Sequence, residues 1–131
     1  MKKLDIKHLR KKLWIVLTAY IKKRDGRKCI TCGKDILPGK GLHSGHFIPS
    51  KICGVELRYD EYNVHVQCFF CNRNMGGFGA MYYIKMIEKY GQERVDELFR
   101  RYNVHLIRKE KWSEEDYIAK INYYENKIKT L

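Results

Sequence analysis

Four cysteines stand in two C-x-x-C pairs, Cys29 with Cys32 in CITC and Cys68 with Cys71 in CFFC. A two-residue gap lets one tight turn present two thiolates to a tetrahedral centre, and two such knuckles complete a closed structural site for Zn2+. A redox pair or unligated core cysteines are the competing explanations. The fifth cysteine, Cys53, lies outside the spacing and reads as a spare thiol, and five cysteines suit a disulfide framework poorly. Metal binding at such a site is coupled to folding, so chelation is expected to unfold the segment between the knuckles. A four-sulfur site has no open coordination position, and any reaction must therefore use other side chains.

Those side chains lie between and beside the knuckles. LHSGHFI at 42–48 is short enough for a strand, and YNVHVQC at 62–68 alternates well enough to be its antiparallel partner. Residues two apart on a strand share a face, which groups Ser44 with His46 and Asn63 with His65, while His43 points the other way. Asn72 follows the last cysteine directly, so the second knuckle fixes it near the base of the hairpin. The expectation is that a histidine, an asparagine and a second polar group converge beside the zinc. Plainer roles stand next to these. The alternative to a functional role for His46 is a hydrogen-bonded structural histidine, for Asn63 a bridge between strand ends, for His65 a partner for a cysteine sulfur or backbone, and for Asn72 a helix cap.

The elements that must hold these residues follow from periodicity. Ile6, Leu9, Leu13, Val16 and Tyr20 form one face of an opening helix whose other faces are largely basic. Asp25-Gly26 breaks it, and Pro38-Gly39 with Gly41 marks a turn after the first knuckle. Residues 49–61 form a connection too long for a tight turn, and therefore a loop able to touch a ligand. FGAMYYIKMIEKYG reads as a helix ending at Gly91, with its start blurred by Gly76, Gly77 and Gly79. Gln92 to Tyr102 reads as another. The last begins at Ser113, a good N-cap, with Tyr117, Ile121, Tyr124 and Ile128 on one face. One domain is expected, with a basic N-terminal helix at 1–24, a zinc-anchored core at 25–90 and C-terminal helices at 91–131.

Lysine and arginine outnumber aspartate and glutamate 27 to 15 in the 131 residues, a formal net charge of +12 that favours a polyanionic partner. The basic residues are bunched at Lys2, Lys3, Lys7, Arg10, Lys11 and Lys12, and again at Lys22, Lys23, Arg24, Arg27 and Lys28. Lys22, Lys23, Arg24 and Arg27, with Lys51 and Arg58 in the long loop, are the candidate DNA contacts; ordinary surface charge is the alternative. Such contacts suit backbone-dominated, sequence-tolerant binding. No apolar run approaches the roughly 18 residues of a membrane span, and no secretory signal is evident, so a cytoplasmic protein is expected.

The motifs YIKKRDGRKCITCG, SGHF and NVHVQCFFCN, from about Thr18 to Tyr102, resemble the phage NinG (Rap) recombination family. More broadly, GH near a proline followed by N-x-x-x-x-C-x-x-C-N looks like the HNH or ββα-metal nucleases, and phage endonuclease VII has a similar zinc-anchored layout. The resemblance implies an α+β fold, a zinc-anchored ββα-metal (HNH or His-Me finger) core with flanking α-helices. It also implies a metal-dependent endonuclease acting on branched DNA recombination intermediates such as Holliday junctions, in the bacterial host cytoplasm if phage-encoded. By this likeness His46 is the general base, Asn63 orients it, and Asn72 binds a catalytic Mg2+ or Mn2+. Many HNH enzymes carry an acid or histidine just before the base, where this chain has Gly45; His65 is the replacement ligand expected here.

Two other readings remain open at this level. One is a non-catalytic zinc-ribbon-like DNA-binding module, which accounts for the cysteines and charge but not for His46, Asn63 and Asn72 together. The other is an HNH nicking or restriction-type nuclease on linear duplex. Symmetric cutting of a junction would be served by a homodimer, and the apolar stripe of the last helix is either its interface or part of the core.

Overall fold

The computed structural model describes residues 5–131; Lys2 and Lys3 of the basic run lie outside them. Helix α1 (Ile6–Asp25) starts at Asp5, whose carboxylate accepts the Lys7 N–H, and stops at Gly26. It buries Leu9, Leu13, Leu17, Tyr20 and Ile21, a broader band than the expected stripe. The reason is that two elements cover it: α5 (Glu114–Thr130) and the β-hairpin both pack on α1. Arg10 meets Tyr117 and Lys23 meets Ile128, so α1 and α5 run in the same direction. The α5 stripe Tyr117, Ile121 and Tyr124 is buried in that contact, which removes it as a free dimer surface.

Strands β1 (Leu42–His46) and β2 (Val64–Cys68) form one antiparallel pair, with Gly45 opposite His65 and His46 opposite Val64. The long connection between them is not plain loop, because it contains the short helix α2 (Gly54–Arg58). Cys68 ends β2 and a π-helical turn at Phe70–Asn74 carries Cys71, the other cysteine of the second knuckle, followed by α3 (Gly79–Tyr90) and α4 (Gln92–Arg108). Helix α4 runs past the expected Tyr102 to Lys109, which closes it in a left-handed conformation.

The chain is thus helix-rich α+β with a small two-stranded sheet, and the hairpin separates two apolar clusters. Val64 and Val66 pack with Leu13, Leu17 and Tyr124 on the α1/α5 side, while Phe47 packs with Tyr82, Met86 and Leu98 on the α3/α4 side. Each face of the hairpin therefore meets a different set of helices. This fixes which polar side chains can meet.

Candidate functional site

The sulfurs of Cys29, Cys32, Cys68 and Cys71 all lie within 4.8 Å of one another. Cys32 Sγ and Cys68 Sγ are 3.8 Å apart, which matches the edge of a tetrahedron with Zn–S bonds of about 2.3 Å, close to 3.8 Å. The cluster is able to hold a zinc ion. Its knuckles are braced locally: the Gly33 N–H donates to Cys29 O, the Cys71 N–H points at Cys68 Sγ, and Arg27 donates to the Ile36 and Leu37 carbonyls. Arg27 is therefore spent in part on holding the first knuckle. Cys53 stays outside the cluster, buried, with its thiol pushed up to about 11 by that burial.

His46 ends β1. Its ring lies flat against Trp14 of α1, with centroids 5.3 Å apart and planes inclined by 12°. Its Nε2 is 2.9 Å from Arg58 O. A carbonyl only accepts, so Nε2 carries the proton and Nδ1 keeps its lone pair. Burial lowers the His46 pKa; the hydrogen bond to Arg58 O opposes this and the Arg58 charge adds to it. At neutral pH the imidazole is uncharged, with one basic nitrogen. The ring opens on a cleft of about 470 Å³, lined also by Ser44, Lys51, Asn72 and Arg73. The π-helical turn tied down by Cys71 brings Asn72 into this cleft. The Ser44 hydroxyl is buried there and has no hydrogen-bond partner among the described residues.

Asn63 does not join them. It is fully buried, accepts from Ile48 N at 2.8 Å, and donates to Ile48 O at 3.1 Å and Leu57 O at 2.9 Å. The expected direct grip on the imidazole is replaced by a clamp between Ile48 at the start of the connection and Leu57 in α2. Because Leu57 precedes Arg58, that clamp also positions the carbonyl that holds His46.

His65 is a correction. The register opposite Gly45 turns its ring to the α3 side, where Nδ1 lies 3.0 Å from the Tyr82 hydroxyl and Nε2 2.7 Å from the Tyr90 hydroxyl. Tyr82 donates its own proton to Gly45 O, so it accepts from Nδ1–H, and Nε2 accepts from Tyr90. Both nitrogens are occupied in the core, and burial, with the Arg24 charge next, holds the pKa down to about 3. It has no free donor for a metal in the cleft. Gly45 faces the same packed side, where a Cβ would come within 1.8 Å of Gln67 Oε1. An acid before His46 would have no room there.

The expected DNA contacts divide. Lys51 lines the His46 cleft, Arg58 lines the adjoining wall beside Trp14 and His46, and Lys22 is exposed. Lys23 reaches Ile128 O at the end of α5. Arg24 is a further correction: it donates to Glu61 O at 2.6 Å and Val64 O at 2.8 Å and pairs with Asp25, which accepts from Val66 N. The pair closes the open edge of β2, whose polar groups would otherwise lack partners. Trp14, Ser44 and Arg73 are cleft residues that the sequence did not single out as functional. Ser44 alone had a signal, its shared face with His46.

A family model described as Bacteriophage Lambda NinG protein matches residues 1–131. The chain is 34% identical over 116 residues to Protein ninG of Escherichia phage 933W, covering 88% of this chain and 54% of that protein. The corresponding protein of Escherichia phage lambda is 33% identical, at 88% and 53%, and that of Salmonella phage P22 is 32% identical at the same coverage. The chain thus spans about half the length of these relatives. No solved structure matches it.

Proposed function

The chain belongs to the NinG family, and from that premise we propose that it is a metal-dependent DNA endonuclease of the ββα-metal type, hydrolysing phosphodiester bonds in branched recombination intermediates such as Holliday junctions. The observation that supports this best is the His46 ring. It is held by Trp14 and Arg58 O, its basic Nδ1 has no partner among the described residues, and its cleft also contains Asn72 and the cations Lys51 and Arg73. A structural histidine normally has both nitrogens satisfied, as His65 does.

In this reading Nδ1 of His46 takes a proton from a water attacking the phosphorus. The new P–O bond forms as the bond to the 3′-oxygen breaks, and that oxygen takes a proton from solvent, leaving a 5′-phosphate and a 3′-hydroxyl. Lys51 and Arg73 hold the flanking phosphate oxygens. The neutral oxygen of Asn72 fits a Mg2+ or Mn2+ that would keep much of its water shell, and such an ion would stabilise the charge on the phosphate and leaving oxygen. Asn63 acts at a distance, through the loop that carries Arg58.

The test is cleavage of a labelled four-way junction and a linear duplex of the same arms by zinc-loaded protein with Mg2+ or Mn2+, alongside His46→Ala. Junction-selective cutting that vanishes in the variant is expected. Equal cutting of both substrates would replace the junction with ordinary duplex. Tight binding without cutting would leave a zinc-anchored binding module.

A further inference from the structure

The His46 cleft does not end at the loop. Lys51 borders it and also a second cleft of about 380 Å³ that lies between α1, α2 and the α4–α5 connection. Arg58 belongs to this second cleft and to the wall beside Trp14 and His46. Beyond these shared residues it is lined by Arg10, His105 and Lys111, with Glu110 as the one acid. Five cationic or imidazole side chains from four parts of the chain thus meet in one depression, far apart in sequence and invisible as a motif.

The depression is built rather than incidental. The His105 ring lies so close over Gly54 that a Cβ there would come within 2.3 Å of it. Gly54 also adopts φ +81, which disfavours any side chain at that position. Arg101 of α4 reaches Asp60 of the loop at 2.8 Å, a second tie between α4 and the segment that carries Arg58. Arg10 is steadied by its Nε donating to the Tyr117 hydroxyl at 3.1 Å, and its terminal nitrogens have no hydrogen-bond partner among the described residues. A guanidinium so held, in a cleft lined also by Lys51 and Lys111, matches the oxygens of a phosphodiester.

We infer that this second cleft is a phosphate-binding subsite for the strand being cut. It takes the sugar-phosphate backbone as it leaves His46 past Lys51 and Arg58, and so makes the C-terminal helices part of the DNA interface. The inference rests on the DNA-cleaving reading above for the identity of its ligand.

The experiment is equilibrium binding of a fluorescent four-way junction to the full zinc-loaded chain across a salt series, in a His46→Ala background so that the DNA stays intact. Each phosphate contact removed lowers the slope of log K against log salt by about 0.7 to 0.9. Lys111→Ala is expected to lower it by about one such step and Arg10→Gln with Lys111→Ala by about two, whereas Lys85→Ala, on α3 outside these clefts, leaves it unchanged. Because Arg10→Gln gives up a contact to Tyr117, Lys111→Glu provides a charge test independent of that packing and should weaken binding further than Lys111→Ala. An unchanged slope in all three Lys111 variants overturns the subsite, even if the wild-type chain cuts DNA. A lowered slope without any cutting by wild type keeps the subsite and removes the nuclease. No junction binding by the parent removes both.

Discussion

The Nε2 of His46 stands 2.9 Å from the carbonyl oxygen of Arg58, a group that can accept a hydrogen bond but never donate one. The backbone of the connecting loop therefore sets the tautomer of the imidazole. Burial also moves its pKa below the ordinary 6.5. The acid limb of the cleavage rate should accordingly fall below pH 6.5, because the base stays unprotonated further into acid. A limb at or above 6.5 in a pH–rate profile would contradict this, and nuclear magnetic resonance titration of the His46 ring would locate the reason.

Trp14 supplies the other half of that hold. An aromatic contact of this kind contributes about 0.5–1.5 kcal/mol, so Trp14→Ala should lower cutting by roughly 2- to 12-fold at neutral pH. Opening the ring to water should also move the acid limb up, toward the ordinary histidine value. Trp14→Phe should restore most of both. A rate loss with an unmoved pH profile would point to lost packing alone.

Asn63 makes three buried hydrogen bonds to Ile48 and Leu57. Asn63→Ala strands Ile48 N–H and the Leu57 carbonyl at about 1–3 kcal/mol each. Denaturant unfolding should show a loss of roughly 2 kcal/mol or more. Asn63→Asp keeps an acceptor for Ile48 N–H but aims a carboxylate at two carbonyls, so it should rescue little. A near-neutral Asn63→Asp would mean the donor bonds matter less than their geometry suggests.

Arg24 and Lys22 sit two apart in one basic run, yet they should respond in opposite ways. Arg24 is bound to β2 and Asp25, and breaking a partly buried pair of this kind costs about 3 kcal/mol. Arg24→Ala should lower the unfolding midpoint and spare the salt dependence of DNA binding. Lys22→Ala should leave stability within about 0.5 kcal/mol. Comparing denaturation and salt-series binding for the two variants checks both expectations.

This contrast shows what the sequence could carry. The cysteine pairs and the strand period are local signals, so the four-sulfur cluster and the shared face of Ser44 and His46 were legible. Whether the Asn63/His65 face meets the His46 face depends on pairing register across a connection with its own helix, and period alone leaves that open. Gly45 looked like a missing ligand; the packed Gln67 shows it to be a position with no space. Arg24 looked like a DNA contact because an unpaired strand edge leaves no mark in the sequence of another element. Trp14, Arg10 and Lys111 were unreadable for a similar reason, since they meet the loop only after α1 and α5 have docked together.

His65 provides the last expectation, and its sign can be worked out. Its folded pKa is held down to about 3 against an ordinary 6.5, so between these values the unfolded chain binds a proton that the folded chain does not. The stability it contributes is complete above pH 6.5 and is lost as pH falls toward 3, at up to about 1.4 kcal/mol per pH unit. His65→Gln keeps a hydrogen bond to one tyrosine and removes the titration, at a cost of about 1–3 kcal/mol at pH 7. Acid also releases zinc from the cysteines, but both proteins share that loss, so it cancels in their difference. Urea unfolding from pH 7 to 4 should show the wild-type advantage shrinking as acid is added. Parallel stability curves would mean that His65 is protonated in the fold and that the two tyrosine hydroxyls hold a cation.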